Sequence, residues 1–250
     1  MNEVQSRLLK MYVDIKRSLD GHGIRFYGCF GTAIGAVRHD GFIPWDDDID
    51  LVVWEEDLPR VAQALKADLD PGLYYYHEPA CDDHPHVICM AGGEESVRDR
   101  TALFIDIFPL KPYPDGAFRK AVENAAIQGD NVAIHVLDRI RSDSIHRMLS
   151  WTHRFFYKLA DMAAGPGCDK VTVRSTTFKD FIFPREFFGE PAPHVFEDEE
   201  MPLPREWDRI LTSTYGDYMT PPPEGRRKGA AGFPCCAYRD YLSDKKKKGV

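Results

Sequence analysis

No stretch of this 250-residue chain approaches the roughly 18 to 20 apolar residues that a membrane span needs. Met1 to Lys10 is polar and no apolar segment follows, so no secretory leader is expected. Cationic excess is also missing: 32 Lys and Arg face 40 Asp and Glu, a net charge of -8. That balance removes the counterion-release grip behind non-specific binding to nucleic acid, and no nucleic acid polymer is expected as a partner. Cysteine is scarce. The six present (Cys29, Cys81, Cys89, Cys168, Cys235 and Cys236) are expected as reduced thiols in a cytoplasmic protein. Neither G-x-G-x-x-G nor G-x-x-x-x-G-K-[ST] occurs, which argues against a dinucleotide fold and a P-loop. G-x-S-x-G, H-E-x-x-H and internal repeats are absent as well.

What is present is an ordinary globular composition, 43 % hydrophobic and 29 % charged, which excludes a disordered or collagen-like chain. Leu8, Tyr12, Ile15 and Leu19 form one stripe of an amphipathic helix ending near Gly21 and Gly23. Ile24 to Phe30 suits a strand, Gly31-Thr32 a turn, and Ala33 to Arg38 a short helix. A second strand is expected over Asp48 to Val53, then a helix opened by Asp57 and Pro59 and carrying Leu58, Val61, Ala62, Leu65 and Leu69. Tyr74 to Tyr76, Val87 to Met90 and Thr101 to Leu110 read as strands, Asp115 to about Gly165 as a helical pair. Phe183 to Pro204 reads as a Pro-rich connection before a last helix with Trp207, Ile210, Leu211 and Tyr215. The expected fold class is α/β (α+β), a mixed sheet without a regular βαβ repeat and with a helical addition.

Trp45-Asp-Asp-Asp-Ile-Asp50 places four carboxylates in five positions at the mouth of an apolar strand. Two like charges 4 Å apart repel by about 4 kcal/mol at an effective dielectric of 20, so the cluster calls for a counter-charge. Strand alternation sends Asp48 and Asp50 to one side and Ile49 and Leu51 to the other, and paired oxygen ligands suit a hard cation such as Mg²⁺, with Mn²⁺ as the substitute. A solvated acidic loop is the plain alternative; the apolar strand directly behind the run argues against it. An EF-hand is disfavoured because Leu51 stands where the sharp-turn glycine belongs and Asp57 where the bidentate Glu belongs. Asp106 sits inside the apolar Phe104-Ile-Asp-Ile-Phe108, where a carboxylate needs a cation or a partner; a structural arginine would serve equally. Gly31-Thr32 at a helix start offers N–H groups, a hydroxyl and a dipole to an anion, within reach of Arg38, although such turns are common.

Three segments together carry a resemblance. Gly31-Thr-Ala-Ile-Gly-Ala-Val-Arg-His-Asp-Gly-Phe-Ile-Pro-Trp-Asp-Asp-Asp-Ile-Asp50, Phe104-Ile-Asp-Ile-Phe-Pro-Leu110 and Tyr215-Gly-Asp-Tyr-Met-Thr-Pro-Pro222 occur in the order found in the LicD family, which includes the fukutin-related proteins. The resemblance spans about residues 8 to 223 and implies a nucleotidyltransferase-like core. It implies that Gly31 and Thr32 bind phosphate, that Asp48, Asp50 and Asp106 form the catalytic, Mg²⁺-binding set, and that Arg38, Trp45 and Asp46 belong to the substrate site. It further implies transfer of a phospho-alcohol from a CDP-activated donor to a hydroxyl of a glycan or glycolipid, with release of CMP. Nucleotide loading with release of pyrophosphate is the alternative, and a non-catalytic glycan-binding scaffold a third.

Arg226 and Arg227 are candidate phosphate ligands beside the commoner solvated role. Relatives often carry a His after this basic stretch, but no His lies beyond His194. Cys81, His84, His86 and Cys89 crowd four zinc-type ligands into nine residues, more simply a polar hairpin loop, and Cys235-Cys236 reads as free thiols. A single transferase domain is expected over 1–244, with its core at 1–114, a completing part at 115–223 and a Lys-rich tail at 245–250. That tail would give a weak peripheral contact at the inner face of a membrane. Residues 40–57 hold eight acidic side chains and no Lys or Arg, so the whole net charge resides there.

Overall fold

The helix announced by the Leu8 to Leu19 stripe runs from Glu3 to Gly21 (α1). It starts with a reciprocal cap: the Gln5 N–H donates to Asn2 Oδ1 at 2.9 Å and the Asn2 N–H to Gln5 Oε1 at 3.0 Å. Gly23, at φ +61°, turns the chain away after it. The remaining elements are β1 (Phe26–Gly28), α2 (Phe30–His39), β2 (Asp50–Trp54), α3 (Leu58–Asp68), β3 (Tyr74–His77), β4 (His86–Cys89), α4 (Gly93–Arg98) and β5 (Phe104–Tyr113). They continue with α5 (Ala117–Arg139), α6 (Asp143–Ala164), β6 (Lys170–Thr172), β7 (Ile182–Pro184), β8 (Ala192–Phe196), β9 (Glu199–Leu203), α7 (Trp207–Tyr215) and α8 (Ala237–Lys248). This computed structural model describes all residues except 80–83, 141, 165–167, 174–179, 228, 230–231 and 249–250, together with all side chains except those and residues 143, 147 and 248. The described chain forms an α/β fold in two units. One comprises Met1–His77, Pro85–Pro109 and Glu186–Phe233; the other comprises Glu78–His84, Leu110–Arg185 and Pro234–Val250.

In the first unit the strand order is β1-β2-β5-β4-β3, with β5 contributing its first six residues. Ile49, Leu51, Val53, Ile105, Ile107 and Val87 share one core with Leu8, Tyr12, Ile15 and Leu19 of α1 and Val61 and Leu65 of α3. Full burial of such side chains contributes about 1.5–3 kcal/mol each. Because side chains alternate across a strand, packing these residues on one face sends Asp50, Asp106 and His86 to the other. Register then aligns them: His86 lies opposite Asp106, and His77 opposite His86.

Two segments differ from expectation. Helix α2 begins at Phe30 rather than Ala33, because Phe30 takes φ +51° and turns β1 directly into the helix, its ring edge-on to Phe108 at 5.4 Å. Gly31 and Thr32 are therefore helical residues. The Pro-rich stretch is not merely a connection, since β8 and β9 form a two-stranded hairpin in which Pro193 pairs with Pro202. With no third strand on the ladder among the described residues, two residues lacking N–H groups are tolerated. The hairpin closes the core: Phe196, Met201 and Leu203 are fully buried, and the Tyr12 hydroxyl donates to the Glu200 carbonyl at 2.6 Å.

In the second unit α5 and α6 pack side by side, and β6 pairs with both β7 and the end of β5, Lys111 opposite Thr172. Their interior is polar. Glu123, Asp130, His146, Ser150 and His153 are buried, and His153 Nδ1 shares a short hydrogen bond with Asp130 Oδ1. Lys111 lies with Nζ 3.9 Å from the centroid of the Tyr157 ring. Leu137, Cys235 and Cys236 are buried together against Ile134, Ile140 and Leu149. Cys236 is disulfide-bonded, which corrects the expectation of a reduced thiol there, whereas Cys29, Cys89, Cys168 and Cys235 are free as expected. Counting cysteines and reading the amino terminus address the compartment, whereas bonding follows from which thiols the fold brings into reach. Lys245 to Lys247 lie on α8. Among the described residues no helix is long and apolar enough to cross a membrane.

Candidate active site

The start of α2 and the start of β2 are tied together in the first unit. The Asp50 N–H donates to Thr32 Oγ1 at 2.8 Å, and the Cys29 N–H donates to the Asp50 carbonyl at 3.1 Å. Asp50 is thereby held 8 % exposed at the mouth of β2. The Asp106 N–H donates to the Ile49 carbonyl at 3.1 Å, which fixes β5 beside the acidic run. Gly31 lies under Asp46: a Cβ there would fall 2.8 Å from Asp46 Oδ2. Gly229 approaches from the far end of the chain, where a Cβ would fall 2.5 Å from Asp47 Oδ1.

Carboxylate oxygens of Asp46, Asp47 and Asp48 lie within 4.8 Å of one another. Burial, then the charges of Asp46, Asp106 and Asp47, push the Asp48 carboxyl up to about 8. Burial also raises Asp46, opposed by its hydrogen bond with Asp48 and by the Arg38 charge. The repulsion expected from the sequence is thus built into the fold, and it reaches across to Asp106. A hard divalent cation fits this donor set, since it would replace the proton that Asp48 otherwise retains near neutral pH.

Sequence-nominated residues fall into two groups around the cluster. Asp46 and Asp48 belong to it, Gly31 lies against Asp46, Asp106 acts on Asp48 through its charge, and Asp50 and Thr32 are joined to each other at the mouth of β2. Trp45, Arg38 and Arg227 stand at its rim: the Arg227 guanidinium lies 4.7 Å from the Trp45 ring centroid and donates from Nε to the Pro222 carbonyl at 2.9 Å. Arg38 donates to the Tyr218 carbonyl and, from Nε, to His39 Nε2 at 2.9 Å. Arg226 is exposed on the helical turn Glu224–Arg226.

Three participants, His77, Tyr215 and Cys29, were not expected from the sequence, and His86 enters in a role other than the zinc-type one. His86 Nε2 lies 3.3 Å from Asp106 Oδ1, and its Nδ1 lies 3.3 Å from His77 Nδ1 with the rings stacked. His77 and His86 are almost wholly buried. Burial and the charges of Asp50, Cys29, Asp46 and Asp48 raise the Tyr215 phenol. Burial and Asp50 raise the Cys29 thiol, so it stays a neutral wall of the site. The sequence signal for Tyr215 was its place in the third motif, and for His86 its place in the crowded Cys and His segment. Of the crowded Cys and His segment, His86 and Cys89 are strand residues, and Cys81 lies outside the described residues.

Comparison with known proteins finds likenesses for this chain. Residues 23–126 match the LicD/FKTN/FKRP nucleotidyltransferase domain. The lipopolysaccharide cholinephosphotransferase LicD of Haemophilus influenzae is 23 % identical over 227 residues, covering 79 % of this chain and 83 % of that protein. An uncharacterized protein of Rickettsia prowazekii is 38 % identical over 58 residues, 23 % of this chain and 22 % of its own length. The human ribitol 5-phosphate transferase FKRP is 38 % identical over 50 residues, 20 % of this chain and 10 % of its own length.

Proposed function

We propose that this chain, whose residues 23–126 match the LicD/FKTN/FKRP nucleotidyltransferase domain, is a transferase that moves a phospho-alcohol from a CDP-activated donor to a hydroxyl of a cell-surface glycan or glycolipid, releasing CMP. The alcohol is choline-like or a polyol, the two chemistries named in its relatives. The proposal includes a nucleotidyltransferase-like arrangement of the first unit and a requirement for Mg²⁺ or Mn²⁺. The observation that carries it is the Asp48 carboxyl, held at about 8 by burial and by Asp46, Asp106 and Asp47. A fold without use for a cation has no reason to keep that repulsion.

Asp48, Asp50 and Asp106 would hold the cation. When bound, it supplies charge neutralisation at the donor diphosphate and on the departing CMP. Asp48 gives up its proton as the site fills, and a carboxylate of the cluster takes the proton of the acceptor hydroxyl. His86 keeps one Asp106 oxygen in place, so the carboxylate enters the reaction already oriented. The Trp45 and Arg227 pair presents a ring face and a cation at the rim, suited to the base and a phosphate of the donor. Phosphate reaches the Gly31-Thr32 turn once the charge of Asp46 above it is neutralised.

The test incubates the protein with Mg²⁺, a panel of CDP-alcohols and glycan acceptors, and follows CMP release beside Asp50→Ala. CMP release by the wild type and its loss in the variant are expected. Equal release by both proteins, or pyrophosphate release from CTP in its place, overturns the proposal.

A further inference from the structure

Helix α6 faces the wrong way for a helix that meets only water on its outer side. At 100° per residue, His146, Ser150, His153 and Ala160 fall on one side, and all four are buried. Met148, Trp151, Phe155 and Met162 fall on the opposite side, joined by Ile145 at its margin. These are exposed, Trp151 at 57 %, Phe155 at 52 % and Met162 at 78 %. The polar residues are therefore inside and the large apolar ones outside, a reversal of the usual pattern. Trp151 and Phe155 meet edge to face at 6.2 Å, giving an aromatic pair on the surface. Lys158 borders the stripe on the Trp151 side, followed by Arg154, which donates to Ser150 Oγ at 3.4 Å, and by Asp161; all three are exposed.

We infer that this outer face of α6 is a docking surface for the interface of an anionic lipid bilayer. Aromatic and sulfur-containing side chains on one face, with cations along its edge, are what an interfacial helix presents to acyl chains and headgroups. The helix is too polar to cross a bilayer, so it lies on the surface. Charge favours lipid over a second copy packed antiparallel, which would bring Arg154 and Lys158 near their own kind, whereas anionic headgroups complement them. This surface belongs to the second unit and does not depend on the chemistry proposed for the first.

The test is co-sedimentation of the full-length protein with sucrose-loaded vesicles of phosphatidylcholine, with and without a quarter phosphatidylglycerol. Wild-type protein is expected to pellet with the anionic vesicles. Trp151→Ser/Phe155→Ser and Arg154→Glu/Lys158→Glu should each partition roughly tenfold less, with unchanged circular dichroism and melting because the side chains are exposed. Tryptophan emission should shift to the blue on vesicles, and Trp151→Phe should remove the shift while preserving binding. Wild-type protein that stays in the supernatant, or a Ser variant that partitions like wild type, overturns the inference. So does ultracentrifugation that finds a wild-type dimer made monomeric by the Ser variant, without vesicle binding.

Discussion

His86 Nε2 rests 3.3 Å from Asp106 Oδ1 because β4 and β5 pair these two residues directly across the ladder. An ionised carboxylate can only accept, so Nε2 carries the proton. A neutral His86 must then accept at Nδ1 from His77, and a charged one must donate there. Either way a line of three side chains holds Asp106 at the acidic cluster. Replacing His86 with Ala should lower turnover or Mg²⁺ affinity by about 10–100-fold, the usual effect of removing a hydrogen bond behind a ligand. Steady-state kinetics with a Mg²⁺ titration distinguishes the two. Unchanged kinetics would remove His86 from the site.

Asp48 sets the response of the cation-free protein to pH. Its carboxyl titrates at about 8 in the fold against an ordinary 3.8, so the native state holds an extra proton between those values. Stability from this group is fully present below about pH 4 and is lost as pH rises through about 8. In EDTA, the melting temperature of the wild type should fall relative to Asp48→Asn across that window, and millimolar Mg²⁺ should close the gap. Parallel melting curves from pH 4 to 8 would contradict the raised carboxyl.

Gly35 binds α2 tightly to the segment that leads into the acidic run. A Cβ there would lie 2.4 Å from the Gly41 carbonyl oxygen and 3.3 Å from the Ile43 nitrogen, both backbone atoms. Gly35→Ala should therefore destabilise by about 1–3 kcal/mol, as overpacking does, despite the better helix propensity of Ala. Urea unfolding measures this, and a neutral or stabilising effect would show that the loop has room to yield.

Arg227 stacks on Trp45 at 4.7 Å. If this pair receives the donor, Arg227→Ala should raise KM for the CDP-alcohol by about tenfold or more, the scale of a lost charge-assisted hydrogen bond. Lys should rescue poorly because it lacks the flat guanidinium. An unaltered KM would return Arg227 to the solvent.

Much of the site was legible because its information is local. The Asp46 to Asp50 run, Asp106 within an apolar strand and the helix after β1 are all patterns within about ten residues. His86 was not legible as a partner of Asp106, since only strand register brings them together. The β8–β9 hairpin was hidden because prolines argue against strands in general, and Pro193 opposite Pro202 is tolerable only where the ladder has no further neighbour. For α6, periodicity announced a helix but not its orientation. Hydrophobic spacing would turn Met148 and Phe155 inward, whereas the fold buries His146, Ser150 and His153.

Closure of the first unit by β8 and β9 has a consequence for synthesis. Tyr12 waits for Glu200, a partner 188 residues later in the chain. At roughly 5–20 residues per second, the nascent chain spends on the order of ten seconds or more with the apolar stripe of α1 incompletely covered. Contacts of such long range also slow folding in free solution. The stretch matching the family model, residues 23–126, contains neither α1 nor the hairpin, so it lacks part of the core it would have to close. The acidic run Asp46 to Asp50 thus leaves the ribosome long before the hairpin that closes the core over α1.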